Sequence, residues 1–102
     1  MRMAEAPQGL TKLKNLLNPI APKIASLNVR PDRSGQKAIL RFTNDYGVEI
    51  FQHSNQDFFE MTVIRFHGPS YEFASDTSIP DLNLGYSDEE VVKLCKDVSK
   101  LK

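Results

Sequence analysis

Residues 38–66, AILRFTNDYGVEIFQHSNQDFFEMTVIRF, hold most of the chain's aromatic residues in three strand-like runs around one clear turn. In an extended chain successive side chains point to opposite faces. Over Lys37–Thr43 this puts Ala38, Leu40 and Phe42 on one side and Ile39, Arg41 and Thr43 on the other. Asn44-Asp45-Tyr46-Gly47 reads as the hairpin turn: Asn and Asp bond back to their own backbone, and Gly47 is expected to supply the positive φ that closes a four-residue loop. A strand from Val48 to His53 follows, then a polar loop at 54–57, then a strand over Phe58–Phe66. Both faces of that last strand are partly apolar, with Phe59, Met61 and Val63 on one and Phe58, Ile64 and Phe66 on the other, which predicts a central strand or one at an interface.

Downstream, His67-Gly68-Pro69-Ser70 turns the chain into a short strand over 71–74, and Ser75–Tyr86 reads as a loop with Ile79, Leu82 and Leu84 as apolar anchors. Ser87 followed by Glu90 is a capping box for a C-terminal helix, with Asp88 and Glu89 suited to the positive end of its dipole. Val91, Leu94, Cys95, Val98 and Leu101 recur at helical spacing as one stripe that packs on the sheet. Upstream, Leu10, Leu13, Leu16 and Leu17 form the apolar face of a short helix that Asn18-Pro19 stops. Pro19–Leu27 admits either a second helix or a break followed by a strand over Ile24–Arg30; the reading adopted is the strand, turning at Pro31–Gly35. The predicted fold is α+β: a short N-terminal helix, an antiparallel meander of four to five strands, and a C-terminal helix on one sheet face. Residues 1–8 are expected to be a disordered tail and 9–102 a single domain.

The formal charge is zero, so no bulk field draws the chain to nucleic acid or to an anionic membrane. The charge is nevertheless split along the chain: residues 1–41 carry eight Lys/Arg against two acids, and 42–102 carry five against eleven. Pairing of the two halves in the fold is the simpler reading; an anion-binding face built from Lys23, Arg30, Arg33, Lys37 and Arg41 is the other. One cysteine, Cys95, excludes an intrachain disulfide, and no run approaches the length of a membrane span or of a signal-peptide core. The expectation is a cytoplasmic protein with no membrane partner.

No catalytic motif stands out. Cys95 lies inside the apolar stripe, away from the helix start that would lower its pKa, and reads as a packing residue. His53 and His67 with Asp57 and Glu60 would be a metal set only if strand ends brought them together, and surface histidines are the simpler account. No glycine-rich phosphate loop is present, so no cofactor and no metal are expected. Two short helices hardly cover both faces of the sheet, which leaves Ile39, Phe51, Phe58 and Ile64 over as expected contact residues for a protein partner, either a second copy or another protein.

Ala21-Pro22-Lys23-Ile24, Phe42-Thr43-Asn44-Asp45-Tyr46-Gly47, Phe59-Glu60-Met61-Thr62-Val63-Ile64, Asp76-Thr77-Ser78-Ile79 and Gly85-Tyr86-Ser87-Asp88-Glu89-Glu90-Val91 together resemble a family of small uncharacterised tailed-phage and prophage proteins. Ser87-Asp88 stands where that family's pattern has Leu-Thr, and Pro19–Pro22 is longer. The resemblance implies origin in a phage or mobile element and lends no activity. It suggests a non-enzymatic protein that binds a factor in a bacterial host cell, of inhibitor or anti-defence type. The alternatives are a nucleic-acid or nucleotide binder using the basic half and a small metal- or thiol-dependent enzyme.

Overall fold

The strand Phe59–His67 is the hub of the molecule, because three other strands pair with it. The computed structural model describes residues 10–32, 34–80 and 82–102; the expected tail at 1–8 lies outside the described residues, as does Arg33. Among the described residues six strands form one antiparallel sheet: β1 (Ile24–Asp32), β2 (Gly35–Phe42), β3 (Tyr46–His53), β4 (Phe59–His67), β5 (Ser70–Phe73) and β6 (Leu82–Gly85). The first five run as a meander. β6 returns to β4 on the same side as β5, so that β5 pairs Ile64–His67 and β6 pairs Phe59–Thr62, end to end along one edge.

The fold is α+β, as the sequence predicts, with the helices on one sheet face. The N-terminal helix is a 3-10 turn at Leu10–Lys12 continued by α1 (Leu13–Leu16). Proline at 19 and 22 then allows only 3-10 turns, kinked at Ile20, before β1 begins at Ile24. Leu10, Leu13 and Leu17 are fully buried over the sheet. α2 (Asp88–Val98) buries Val91, Leu94, Cys95 and Val98, the expected stripe, while Leu101 packs against the core from beyond its end. Between the helices and the sheet lie Leu40, Phe42, Val48, Ile50, Phe59 and Met61, each at most 1% exposed. Burial of side chains of this size contributes about 1.5–3 kcal/mol apiece.

The cap of α2 departs from the sequence reading in one detail. Ser87 Oγ accepts the Glu90 amide at 3.3 Å as expected, but the Glu90 carboxylate accepts the Tyr86 amide at 2.8 Å, one residue earlier than a capping box requires. At the other end of the helix, Asn44 Nδ2 donates to the Val98 and Leu101 carbonyls at 3.0 and 2.9 Å, and Asn44 Oδ1 accepts the Tyr46 amide. One turn residue of the β2–β3 hairpin thus closes its own loop and binds two carbonyls, one at the end of α2 and one just beyond it.

Two corrections concern this hairpin and the loop before α2. The positive φ of the turn is at Asp45 (+67°), whereas Gly47 lies in β3 in the extended region. Its role is close approach: a Cβ at 47 would fall on the Leu40 carbonyl oxygen and come within 2.8 Å of Phe66 Cε1. Nor is 75–86 wholly loop, since Leu82–Gly85 is a strand. Its polarity is inverted, with Asn83 turned toward the helix side and Leu82 and Leu84 outward, 60% and 42% exposed, so the two leucines do not anchor the core. Ile79 does pack against it. The 74–80 segment is held down instead by Arg65, which hydrogen-bonds both Asp76 carboxylate oxygens at 3.0 and 3.1 Å and the Tyr46 hydroxyl at 2.6 Å.

Candidate protein-binding face

The strand register sorts every residue of the face turned away from the helices. Residues directly opposite in an antiparallel ladder share a face. Across the sheet this gives rows such as Asn28–Ile39–Glu49–Thr62–Leu82 and Arg30–Lys37–Phe51–Glu60–Leu84. The rows grade in chemistry: basic residues on β1 and β2, carboxylates on β3 and β4, apolar groups on β5 and β6.

Down the β5/β6 edge the gradient ends in a continuous apolar column. Tyr71, Phe73, Leu82 and Leu84 lie opposite Phe66, Ile64, Thr62 and Glu60, each two positions from the next along β4. Tyr86 continues the alternation one residue past β6 and meets Phe58, with ring centroids 5.5 Å apart. Five positions at this spacing span roughly 27 Å. Phe73, Leu82, Leu84 and Tyr86 are 64%, 60%, 42% and 52% exposed, four of the five large apolar side chains that are exposed among the described residues. The fifth, Val29, is on the helix side of β1.

Of the residues expected at this face, Ile39 and Phe51 are on it and half-buried, and Phe58 is half-buried against Tyr86. Ile64 is on it too but has no exposed surface. The cover comes from within the sheet. Tyr71 is opposite Phe66 and Glu49 is opposite Thr62, and the hydrogen bond from Tyr71 to Glu49 Oε2 (2.7 Å) therefore crosses β4 at Ile64. Partial burial, and then the bond and charge of Glu49, push the Tyr71 hydroxyl up to about 12, with Arg30 opposing, so the donor stays protonated at neutral pH. Beside it the Arg41 guanidinium stacks on Phe66, 4.7 Å from the ring centroid, and bonds Asp45 at 2.7 Å and the Gly68 carbonyl at 3.0 Å.

Arg30, Lys37 and Arg41 share this face by register. Lys37 is paired with Asp32 at 3.6 Å, however, and Arg41 with Asp45. The basic first half of the chain is thus partly neutralised locally, as well as facing the carboxylates of β3 and β4. Lys23 is exposed in the 3-10 turn before β1, off the sheet ladder.

The side chains with reactive chemistry are dispersed. Burial alone pushes the Cys95 thiol up to about 12, which suppresses the thiolate. His53 bonds Ser34 Oγ at 3.0 Å and stacks edge-on against Phe51, and His67 bonds Glu72 at 3.0 Å. Among the described residues no three His, Cys, Asp or Glu side chains are grouped to hold a metal ion, and no helix is long and apolar enough to cross a membrane. A groove of about 670 Å³ lies between α2 and the residues Ser78, Ile79, Pro80, Asn83 and Leu84, with a mixed lining that includes Met61, Glu90 and Lys93.

Sequence reasoning missed Phe73, Leu82, Leu84 and Tyr86. The available signal was the Leu-Asn-Leu-Gly alternation at 82–85, whose polar member is the one facing inward. Compared with known proteins, the chain matches no family model, no curated protein and no solved structure.

Proposed function

We propose that this is a non-enzymatic binding protein that acts through protein–protein contact at the open sheet face, centred on the β5/β6 edge. The observation that carries the reading is the column Phe73–Leu82–Leu84–Tyr86, four large apolar side chains exposed in one row with Phe58 behind it. Contiguous exposed apolar surface of this kind marks interaction sites, and aromatic anchors dominate their energetics. The resemblance to tailed-phage proteins adds the setting: a small phage-encoded protein in the cytoplasm of a bacterial host, directed at a host factor. The test is affinity capture from a bacterial lysate with the wild type and with a Phe73→Ser/Leu82→Ser/Leu84→Ser variant whose melting curve is unchanged. A discrete protein retained by the first and lost by the second supports the reading. Equal capture by both refutes it.

A second reading has its own observation, the presence of Arg30, Lys37 and Arg41 on the same face as Phe51 and Phe66. Basic residues interleaved with aromatics suit single-stranded nucleic acid. The pairing of Lys37 and Arg41 with carboxylates and the position of Glu49 and Glu60 beside the aromatics count against it. Its signature is binding to an oligonucleotide that weakens steeply with salt and with Arg30→Ala.

A further inference from the structure

Glu60 is a half-buried carboxylate in β4, directly opposite Phe51 on one side and Leu84 on the other. Among the described residues it has neither a hydrogen bond nor an ion pair. The nearest cation in its row is Lys37, beyond Phe51 and two strands away, which is about 9.5 Å of backbone separation, and Lys37 is already held by Asp32. Glu49, Phe51, Glu60 and Thr62, with Lys37 and Asp32 at the far rim, enclose a depression of about 260 Å³ that opens beside the apolar column. A carboxylate set between an aromatic ring and a leucine, with no cation of its own, leaves a charge for a partner to complete.

We infer that the occupant of this face is a cationic, apolar segment of a partner protein, with one Lys or Arg seated at Glu60 over the Phe51 ring and its apolar neighbours laid on Leu82, Leu84 and Tyr86. The inference rests on the binding reading above and narrows it to one class of partner. Charge complementarity decides the class. The apolar column supplies the contact area, and Glu60 selects what lies beside it. A cation between a carboxylate and the face of Phe51 also gains the ring's quadrupole attraction.

The probes are three fluorescein-labelled peptides of equal length: one alternating Val and Leu with Lys and Arg, one with Glu in place of the cations, and one with the same cations and Ser in place of the apolar residues. Fluorescence anisotropy is measured against the full chain at physiological salt. The expected result is binding of the basic-apolar peptide only, weakened about tenfold by Glu60→Gln and by Leu84→Ser, the scale of one well-placed contact. Glu89→Gln removes an equal charge from the exposed start of α2, on the other side of the sheet, and is expected to leave the affinity unchanged. Glu60→Lys should transfer the preference to the acidic-apolar peptide. Equal binding of acidic and basic peptides, equal losses in Glu60→Gln and Glu89→Gln, tighter binding of the Ser-containing peptide, or a mass in light scattering that makes a second copy the occupant overturns the inference. Should the peptides fail while the triple Ser variant still loses its captured protein, the cationic partner is refuted and the binding reading stands.

Discussion

The two faces of the sheet bury apolar side chains by different means. On the helix side, Leu40, Ile50 and Phe59 are closed by a second layer, the leucines of the N-terminal helix and the stripe of α2. On the open side, Ile64 is closed by its own neighbours: a tyrosine reaches across two strand spacings to a glutamate, while an arginine lies on the adjacent Phe66. A layer of helices excludes water over a wide area, and the polar groups on its side, the Tyr46 hydroxyl and the Asn83 amide, are hydrogen-bonded within the protein. A lid of long polar-tipped side chains shields one residue and leaves the rest of the face wet. The difference separates the face that maintains the fold from the face on which the proposed function rests.

The largest expected effect breaks the helix-side layer. Phe59→Ala leaves a cavity under α2 and should cost about 3–5 kcal/mol in urea unfolding. Ile64→Ala removes an equally inaccessible side chain beneath a lid that can settle, and should fall near the low end of the core range, about 2 kcal/mol. A value matching Phe59→Ala would mean that the open face is as rigid as the core.

Smaller changes sharpen the comparison. Tyr71→Phe keeps the ring and deletes the bond to Glu49, for about 1 kcal/mol. It should also alter the alkaline limb of the stability curve. The folded hydroxyl titrates at about 12 against an ordinary 10.0, so the unfolded form ionises first. Stability contributed by the protonated hydroxyl is therefore complete below pH 10 and lost as pH rises toward 12. Urea midpoints measured across that interval should decline less in Tyr71→Phe than in the wild type. Last, Leu82→Ser and Leu84→Ser should shift stability by less than about 0.5 kcal/mol, because both side chains are already in water. A destabilisation above 1 kcal/mol for either would show that the column is structural rather than a contact surface.

Much of the fold was legible in the chain. Two-residue alternation located β2, β3 and β4, and Ser87 with Glu90 located the start of α2, because these signals are local and each strand buries the face its pattern implies. What failed was governed by contacts distant in sequence. β6 reads as loop because four residues with outward leucines carry no inward apolar pattern, and its pairing with β4 joins residues 20 to 26 positions apart. Gly47 looks like a turn glycine, yet its lack of a side chain answers to the Leu40 carbonyl and to the Phe66 ring, nineteen residues on. At the candidate site, alternation placed Ile39, Phe51 and Ile64 on the open face correctly. It could not show that a Tyr71–Glu49 bond covers Ile64, or that the exposed apolar surface belongs to β5 and β6.

Asn44 has a consequence for how the molecule opens. Its amide holds the carbonyls of Val98 and Leu101, more than fifty residues away, while its carbonyl holds the turn. Helix ends ordinarily fray in isolation, on a faster timescale than the sheet they rest on. Here the end of α2 is fastened to the tip of the β2–β3 hairpin, so the two are expected to open together. Loss of the turn would cost residues 98–101 two of their hydrogen bonds, which makes the end of α2 a reporter of the turn at Asn44.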